Sequence, residues 1–434
     1  MTDASPVEVV RGLVERYGHG SLADYARSEL AVGHAPDGDT ARGARTILVD
    51  GLARAAHAQL GASRAEVEAA FDRLPVLSTG LHASLLLGAP SFAEHCVMLV
   101  AARAAGSPLL FTKATCRVSL ITWSGYGPGY VQCAGGAVRV FDLSRKIMKR
   151  SCAHSRLASP RLAFQGDAAT PIERAALDAV TNTVGDLSAG RVCTAFTASN
   201  QRLARSWVRP GEPRTVFVDH LPNEVLAQHL RGGSAASAVA RIVLDPDARG
   251  RFYGAYQRHR RRYEPGFEHG TSMFWHLPDG RLRALRINGT TLVGEAKGWP
   301  YEYPLDATSL ANALERGDLL PDIPLTFLAL SVLPRVRVAG GPNQLGYTSA
   351  VAAAFAQVCE QLHGSGFDRS GARAPVSSAW VVGVVSPFFR VLDLLASTDD
   401  PALMSATADR WSALPVRETV GDLRRMLTTA GLLP

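Results

Sequence analysis

Apolar positions recur at helical spacing through the first part of the chain. Val7, Val10, Leu13 and Val14 share one face, residues 41–60 continue at a similar period, and Ser63 with Glu66 offers a capping box for a helix ending near Leu74. The pattern then shortens. Residues 75–79 form a brief apolar run ending at Gly80, and a loop bearing Leu85, Leu86 and Leu87 leads to Gly88. Ser91 and Glu94 have the S-x-x-E spacing of a second capping box, which predicts a helix over 92–105. Apolar residues surround that helix on nearly every side, as expected of a crossover helix packed between layers. Gly106-Ser-Pro ends it, and residues 109–112 read as the next buried strand. Strand, loop, helix, strand is a βαβ unit, which implies parallel strands.

Further along, 131–143 has the look of a hairpin turning at Gly135-Gly136, followed by a basic segment at 144–150. Helices are expected over 170–187 and 194–204. A strand over 215–218 leads to His220 and to a helix for which Asn223 is the expected cap. The alternation of Phe274, Trp275 and Leu277 with Leu282, Leu285 and Ile287 predicts a hairpin over 272–287. Helices over 306–319 and 323–333, a strand over 335–339 and a helix over 349–363 follow, and 379–433 reads as mostly helical. The expected fold is α/β: a Rossmann-like parallel-sheet core with hairpin insertions over 75–363, a helical lead-in over 1–74, and a helical C-terminal segment over 364–434.

Composition narrows the function classes. Of 434 residues 47% are hydrophobic and 20% charged, which fits a folded body rather than a disordered chain. The longest apolar stretches, 319–333 and 379–385, fall short of the roughly 20 residues needed to span a bilayer. The first fifteen residues carry acids and lack the basic start and apolar run of a secretory signal, so a cytoplasmic location without membrane partners is expected. Cys96, Cys116, Cys133, Cys152, Cys193 and Cys359 show no CxxC spacing, which argues against a zinc ribbon or a disulfide framework. A net charge of +7 suits an anionic partner such as a phosphate, a nucleotide or RNA, though many arginines in an alanine- and glycine-rich chain also follow from codon bias.

The strongest candidate for chemistry runs from Ser78-Thr79-Gly80 through His82 to Gly88 and Ser91. A ligand at the carboxyl end of a parallel strand meets a loop and a helix N-terminus, where backbone N–H groups and the helix dipole favour anions. Gly80 and Gly88 let the backbone approach closely, and His82 changes charge near neutral pH. A second candidate is Gly340, Gly341, Pro342, Asn343, Gln344 and Tyr347, again a strand ending in glycines with polar side chains clustered beyond it. Asn200, Arg202, Asp219 and His220 form a third group, although adjacent side chains on a strand point to opposite faces. Lys146, Lys149 and Arg150 beside Arg145, and Arg258, Arg260, Arg261 and Arg262, are basic clusters that could grip RNA phosphates or simply face solvent. No Walker, HExxH or GxSxG motif is present, and Gly125 to Gly129 lacks the dinucleotide-binding pattern.

Two of these segments resemble one family. Thr79-Gly-Leu-His-Ala-Ser-Leu-Leu-Leu-Gly-Ala-Pro90 resembles the TGQQ-x-GL-x-x-GP stretch of the bacillithiol synthases, which attach cysteine to glucosaminyl malate. Leu320-Pro-Asp and Val338-Ala-Gly-Gly-Pro-Asn-Gln-Leu-Gly-Tyr347 resemble their LLP…YVGGPGE-x-AYW stretch. The likeness covers about a quarter of the chain. It implies a Rossmann-like core of nucleotidyltransferase type in which Thr79, Gly80, His82, Gly88 and Pro90 line one half of a pocket and Gly340, Gly341, Pro342, Gln344 and Tyr347 the other. Lys146-Ile-Met-Lys-Arg-Ser151 is similar to the KMSKS loop of synthetases, though displaced. Leu81 and His82 stand where the family has paired glutamines, Asn343 and Gln344 where it has Gly-Glu, and Thr348 where it has tryptophan. No heptads correspond to the family's coiled-coil arm.

The resemblance implies an amide- or ester-forming enzyme that joins an amino acid, cysteine in that family, to a small amine or hydroxyl acceptor. Its carboxylate or activated form would bind at the helix N-terminus near Ser91, backbone N–H groups would hold the oxyanion, and His82 would shuttle protons. Such a reaction needs ATP or an already activated aminoacyl donor. An enzyme taking its aminoacyl group from charged tRNA, and a non-catalytic module that binds a nucleotide or RNA, are the alternatives.

Overall fold

The computed structural model describes residues 11–12, 15–31, 38–80, 84–113, 120–121, 127–153, 155–157, 159, 161–187, 190–233, 237–263, 271–277, 281–296, 299–340, 343–362, 391–398 and 400–420. At its centre is a four-stranded, all-parallel sheet of β1 (Val76–Ser78), β2 (Leu109–Thr112), β3 (Arg214–Phe217) and β4 (Arg337–Ala339), in the order β4-β1-β2-β3. The fold is mixed α/β with a Rossmann-like parallel core. β1, β2 and β4 are buried along their whole length, as the unbroken apolar runs require when both faces of a parallel sheet are covered.

Successive strand residues point to opposite faces and so enter different cores. Leu77, Leu109, Phe111 and Val216 join one core with α1 (Asp39–Leu60) and α2 (Arg64–Arg73), to which Phe252 and Phe355 also belong. Val76, Leu110, Phe217 and Ala339 join the other with α3 (Ala89–Ala105) and α4 (Val192–Trp207), together with Leu403 and Met404 of the helix Leu403–Ser412. The Ser63–Glu66 capping box forms as its spacing predicts.

The chain steps from β1 to β2 to β3 in one direction, then crosses back to lay β4 on the other side of β1. Strand order therefore reverses between β1 and β4. In open parallel sheets the crevice at the carboxyl ends of such a pair is where ligands bind.

Several elements differ from the sequence reading. α3 starts at Ala89 with Gly88 as its cap, so the box proposed for Ser91 and Glu94 does not form. Pro90 suits a first helical turn, where no N–H is needed, and Glu94 is engaged elsewhere. α5 (Leu221–Arg231) is followed by the helices Ala238–Leu244 and Pro246–Tyr263, and α6 (Ala307–Arg316) stops earlier than the expected 319 because Gly317 turns into the left-handed region at φ 75°. That releases Leu319–Pro321 to form a strand on Phe274–His276, whose other edge pairs with Arg283–Ala284. The three-stranded antiparallel sheet of Arg286–Asn288, Thr291–Ala296 and Trp299–Pro304 was not anticipated. α7 (Asn343–Gln361) begins six residues before the expected 349. The expected hairpin is present as Tyr130–Cys133 with Gly136–Arg139. Most of the C-terminal helical reading lies outside the described residues, which hold Val391–Ser397, Leu403–Ser412 and Val416–Val420 there. No described helix is long and apolar enough to cross a membrane.

Candidate functional site

The junction where β1 and β4 end is built from the residues that leave each strand. The Thr79 N–H donates to the Ala339 carbonyl at 2.7 Å, and the Thr79 hydroxyl donates to Gln344 Oε1 at 2.8 Å. Gln344 is 3% exposed and lies in the first turn of α7, folded over Gly340 so closely that a β-carbon on Gly340 would collide with its amide. Gly80 lies against both Gly340 and the Glu94 carboxylate.

Glu94 reaches this point from the second turn of α3. Its Oε1 accepts the Ser78 hydroxyl and, at 3.1 Å, the Gly80 N–H. The side chain is buried, 3% exposed, and loss of water around the charged form pushes its pKa up to about 7, with the Ser78 and Gly80 hydrogen bonds opposing the rise. A carboxyl in that range can give or take a proton at neutral pH. The neighbouring His95 is buried as well. Its Nδ1 lies 3.2 Å from the Ser91 carbonyl, its ring stacks on Phe217, and burial lowers its pKa to about 4, so the imidazole is neutral.

The loop between Gly80 and α3 is fixed from α4. Asn200 accepts the Leu86 N–H at 3.0 Å and donates to the Ser84 carbonyl at 2.8 Å. Both bonds are backbone clamps, so the role of Asn200 is to hold the loop. Arg202 of the same helix donates to the carbonyls of Val184 and, at 2.7 Å, Asp186, closing the end of the helix Pro171–Val184.

A concavity of about 530 Å³ opens at the carboxyl ends of β2 and β3. Lys113, 6% exposed, follows β2, and Asp219 and His220 follow β3. Arg191 at the start of α4 and Gly317 at the end of α6 close it from the side. Asp219 and His220 lie beyond the strand, in the turn into α5, so the opposite-face rule for strand neighbours does not govern them. Asp219 accepts the Thr197 hydroxyl. His220 keeps an accessible ring at the cleft mouth, yet the protein around it disfavours the imidazolium and lowers its pKa, with Arg191 adding to the effect and Glu224 opposing it. His220 rather than Asn223 occupies the cap position of α5. Asn223 is buried and donates to the carbonyls of Leu314 at 2.8 Å and Leu319 at 2.9 Å, docking α5 to the end of α6.

Of the residues singled out from sequence, Thr79, Gly80, Gly340 and Gln344 meet at one junction, and Asp219 and His220 share a cleft at the ends of β2 and β3. Gly88 caps α3 through its backbone alone, and Ser91 is buried in the first turn. Tyr347 stands one turn into α7 with its ring 5.0 Å from that of Phe327, packed against the core. His82, Gly341 and Pro342 lie outside the described residues, as do the side chains of Asn343, Arg261 and Arg262. Arg145 and Lys146 are exposed on the short helix Arg145–Met148, Lys149 is exposed at its C-terminal cap, and Arg150 is half-buried. The second basic cluster is not one solvent face: Arg258 is exposed, but Arg260 turns inward, buried, with its guanidinium on Gln257 Oε1 at 3.3 Å. Among the described residues no group of three or more His, Cys, Asp or Glu could hold a metal.

Sequence reasoning missed Glu94, Lys113 and Arg191 as site residues. Glu94 carried a signal, since an acid and a histidine interrupt a helix that is otherwise apolar from Phe92 to Ala102. Lys113 directly follows a buried strand, which is a weaker cue. Nothing local marks Arg191. Compared with models of known families and with characterised proteins, the chain matches none.

Proposed function

We propose that the protein is an amide- or ester-forming enzyme that attaches an amino acid to a small amine or hydroxyl acceptor in the crevice between β1 and β4. The observation that carries this reading is the meeting of the two segments that resemble bacillithiol synthases: the Thr79 hydroxyl on Gln344, and Gly80 against Gly340. Acyl transfer requires the attacking group to lose a proton and the leaving group to gain one. Glu94, set behind Ser78 and Gly80 and poised near neutrality, is placed to carry that proton; His82, two residues beyond Gly80 in the chain, is the other carrier.

The exposed Arg145, Lys146, Lys149 and Arg258 favour a second reading, in which the aminoacyl group arrives on charged tRNA and these cations hold its phosphates. Either route draws on cytoplasmic substrates.

The test is to incubate the chain with labelled amino acids, with and without ATP and total tRNA, and to measure transfer to hydroxylamine. Transfer that needs ATP alone supports the first route. Transfer that needs tRNA, is abolished by RNase and weakens steeply with salt supports the second. Saturable nucleotide or RNA binding with no hydroxamate under any donor refutes the enzyme and leaves a binding module. Loss of transfer in Glu94→Gln but not in His82→Ala, or the reverse, assigns the proton carrier.

A further inference from the structure

The positive charge of the chain is not spread evenly. Residues 95–166 hold ten lysines and arginines against one acid, Asp142, a surplus of nine where the whole chain has a net charge of +7. The remainder is therefore net negative. Some of those ten cations are engaged within the protein: Arg103 pairs with Glu212 and Asp409, Arg161 pairs with Asp186, and Arg139 donates to the Leu143 carbonyl and to Gln165. Arg145, Lys146, Lys149 and Arg156 are different. All four are exposed, and among the described residues none has a side-chain hydrogen bond or ion pair.

The tertiary structure adds a fifth cation to these. Arg156 stands opposite Arg191 in an isolated antiparallel bridge, where the Leu157 N–H donates to the Gly190 carbonyl at 3.0 Å and the Val192 N–H donates to the Ser155 carbonyl at 2.7 Å. Ser155 also donates its hydroxyl to the Ile147 carbonyl at 3.3 Å, which ties the bridge to the helix Arg145–Met148. Arg191 is likewise exposed and, among the described residues, without a side-chain partner. Like charges directly opposite one another destabilise a strand pair, so Arg156 against Arg191 is a cost that a bound polyanion would offset. The acids of the adjoining cleft are taken up elsewhere: Asp219 accepts the Thr197 hydroxyl, Glu224 pairs with Arg54 and Glu315 with Arg231.

We propose that the surface formed by Arg145, Lys146, Lys149, Arg156 and Arg191 binds the phosphate backbone of duplex RNA. Closely spaced phosphates that release counterions are the partner a one-signed surface of this kind favours. A membrane surface would call for apolar side chains to insert, but Ile147 is half-buried and Met148 buried. A single strand would call for aromatic rings on which bases stack, and residues 144–157 contain no Phe, Tyr or Trp. Arg191 also lines the cleft at the carboxyl ends of β2 and β3, the end of the parallel sheet at which Thr79 meets Gln344. RNA held here would lie toward that junction. The inference rests on the charged-tRNA reading for the choice of RNA over DNA.

The test is fluorescence anisotropy of the full chain with a labelled RNA hairpin over a salt series, beside a DNA hairpin of the same sequence, an unstructured RNA strand and vesicles of anionic phospholipid. The RNA hairpin is expected to bind with an affinity that falls steeply with salt. Lys146→Gln with Lys149→Gln, and separately Arg156→Gln with Arg191→Gln, are each expected to flatten the slope of log affinity against log salt by about 1–2. The second pair is expected to melt no lower than wild type, since it removes the opposed like charges. Arg205→Gln, at an exposed position roughly 20 Å further along α4, is expected to leave affinity and slope unchanged. The proposal is overturned if the RNA hairpin does not bind, if the DNA hairpin, the single strand or the vesicles bind more tightly, if both double variants keep the wild-type slope, or if Arg205→Gln flattens it as much. ATP-dependent transfer to hydroxylamine in a chain that binds no RNA would leave the enzyme reading standing. Hairpin binding that depends on these five cations, without transfer from any donor, would leave this surface standing alone.

Discussion

A β-carbon placed on Gly80 would stand 2.8 Å from the α-carbon of Gly340, closer than real β-carbons approach backbone. The exits of β1 and β4 therefore touch main chain to main chain, with Glu94 on one side of the contact and Gln344 on the other. Gly80→Ala has no flexible group to displace on the Gly340 side, so it is expected to cost about 2–3 kcal/mol. Gly340→Ala collides instead with the amide end of Gln344, which can be removed. In a double-mutant cycle Gly340→Ala and Gln344→Ala are expected to couple by about 1 kcal/mol. Urea denaturation of the four proteins measures it, and strict additivity would show that the two residues do not meet.

Glu94 makes stability depend on pH in a definite direction. An unfolded glutamate titrates at 4.5 and the folded one at about 7. The folded pKa is the higher, so the contribution of the protonated acid is complete below pH 4.5 and is lost as pH rises to about 7, a loss of roughly 3 kcal/mol. Glu94→Gln keeps a carbonyl oxygen for Ser78 and Gly80 while removing the titration. The variant is expected to melt higher than wild type at pH 8 and at a similar temperature at pH 4.5. Its transfer activity is expected to fall by about a hundredfold or more. Parallel stability profiles for the two proteins would contradict the assignment.

His229 acts in the opposite sense, together with His95. Burial lowers both to about 4, and His229 Nδ1 lies 2.9 Å from the Ser237 hydroxyl. An unfolded histidine takes up a proton at 6.5, whereas these stay neutral, so stability is present above pH 6.5 and is lost as pH falls to about 4. His229→Gln is expected to reduce the slope of unfolding free energy against pH in that window by about 1.4 kcal/mol per pH unit. Denaturant titrations at a series of pH values decide it.

Asn200→Ala is expected to free the loop in front of α3. The Leu86 N–H would lose the Asn200 carbonyl as acceptor while Leu86 itself remains fully buried, and the Ser84 carbonyl would lose the Asn200 amide as a donor. The expected cost is about 2–3 kcal/mol. Faster amide exchange at Leu86, with little change in β2, would distinguish loss of the clamp from general destabilisation; unchanged exchange at Leu86 would remove Asn200 from this role.

The βαβ unit from Pro75 to Thr112 was legible in the chain because two unbroken apolar runs and the apolar helix between them leave little other way to bury that surface. The Ser63 capping box and the Gly135-Gly136 hairpin were legible for a similar reason, since each is decided by residues within a few positions of one another. Ser91 and Glu94 had the same kind of spacing but misled. Once α3 starts at Ala89, Glu94 faces the end of β1, and the Ser78 hydroxyl and Gly80 N–H take its carboxylate.

Sequence by itself determined the alternation of strands and helices, the parallel class of the sheet and the glycines at the two strand exits, because these follow from backbone preference and short-range periodicity. Only the tertiary structure decided that β4 returns to the free side of β1. That pairing brings Thr79 to Gln344 across 265 positions, and the docking of α6 on α5 separately sets Gly317 near Arg191. Such contacts depend on how whole layers bury their faces, and no local pattern of residues records that choice.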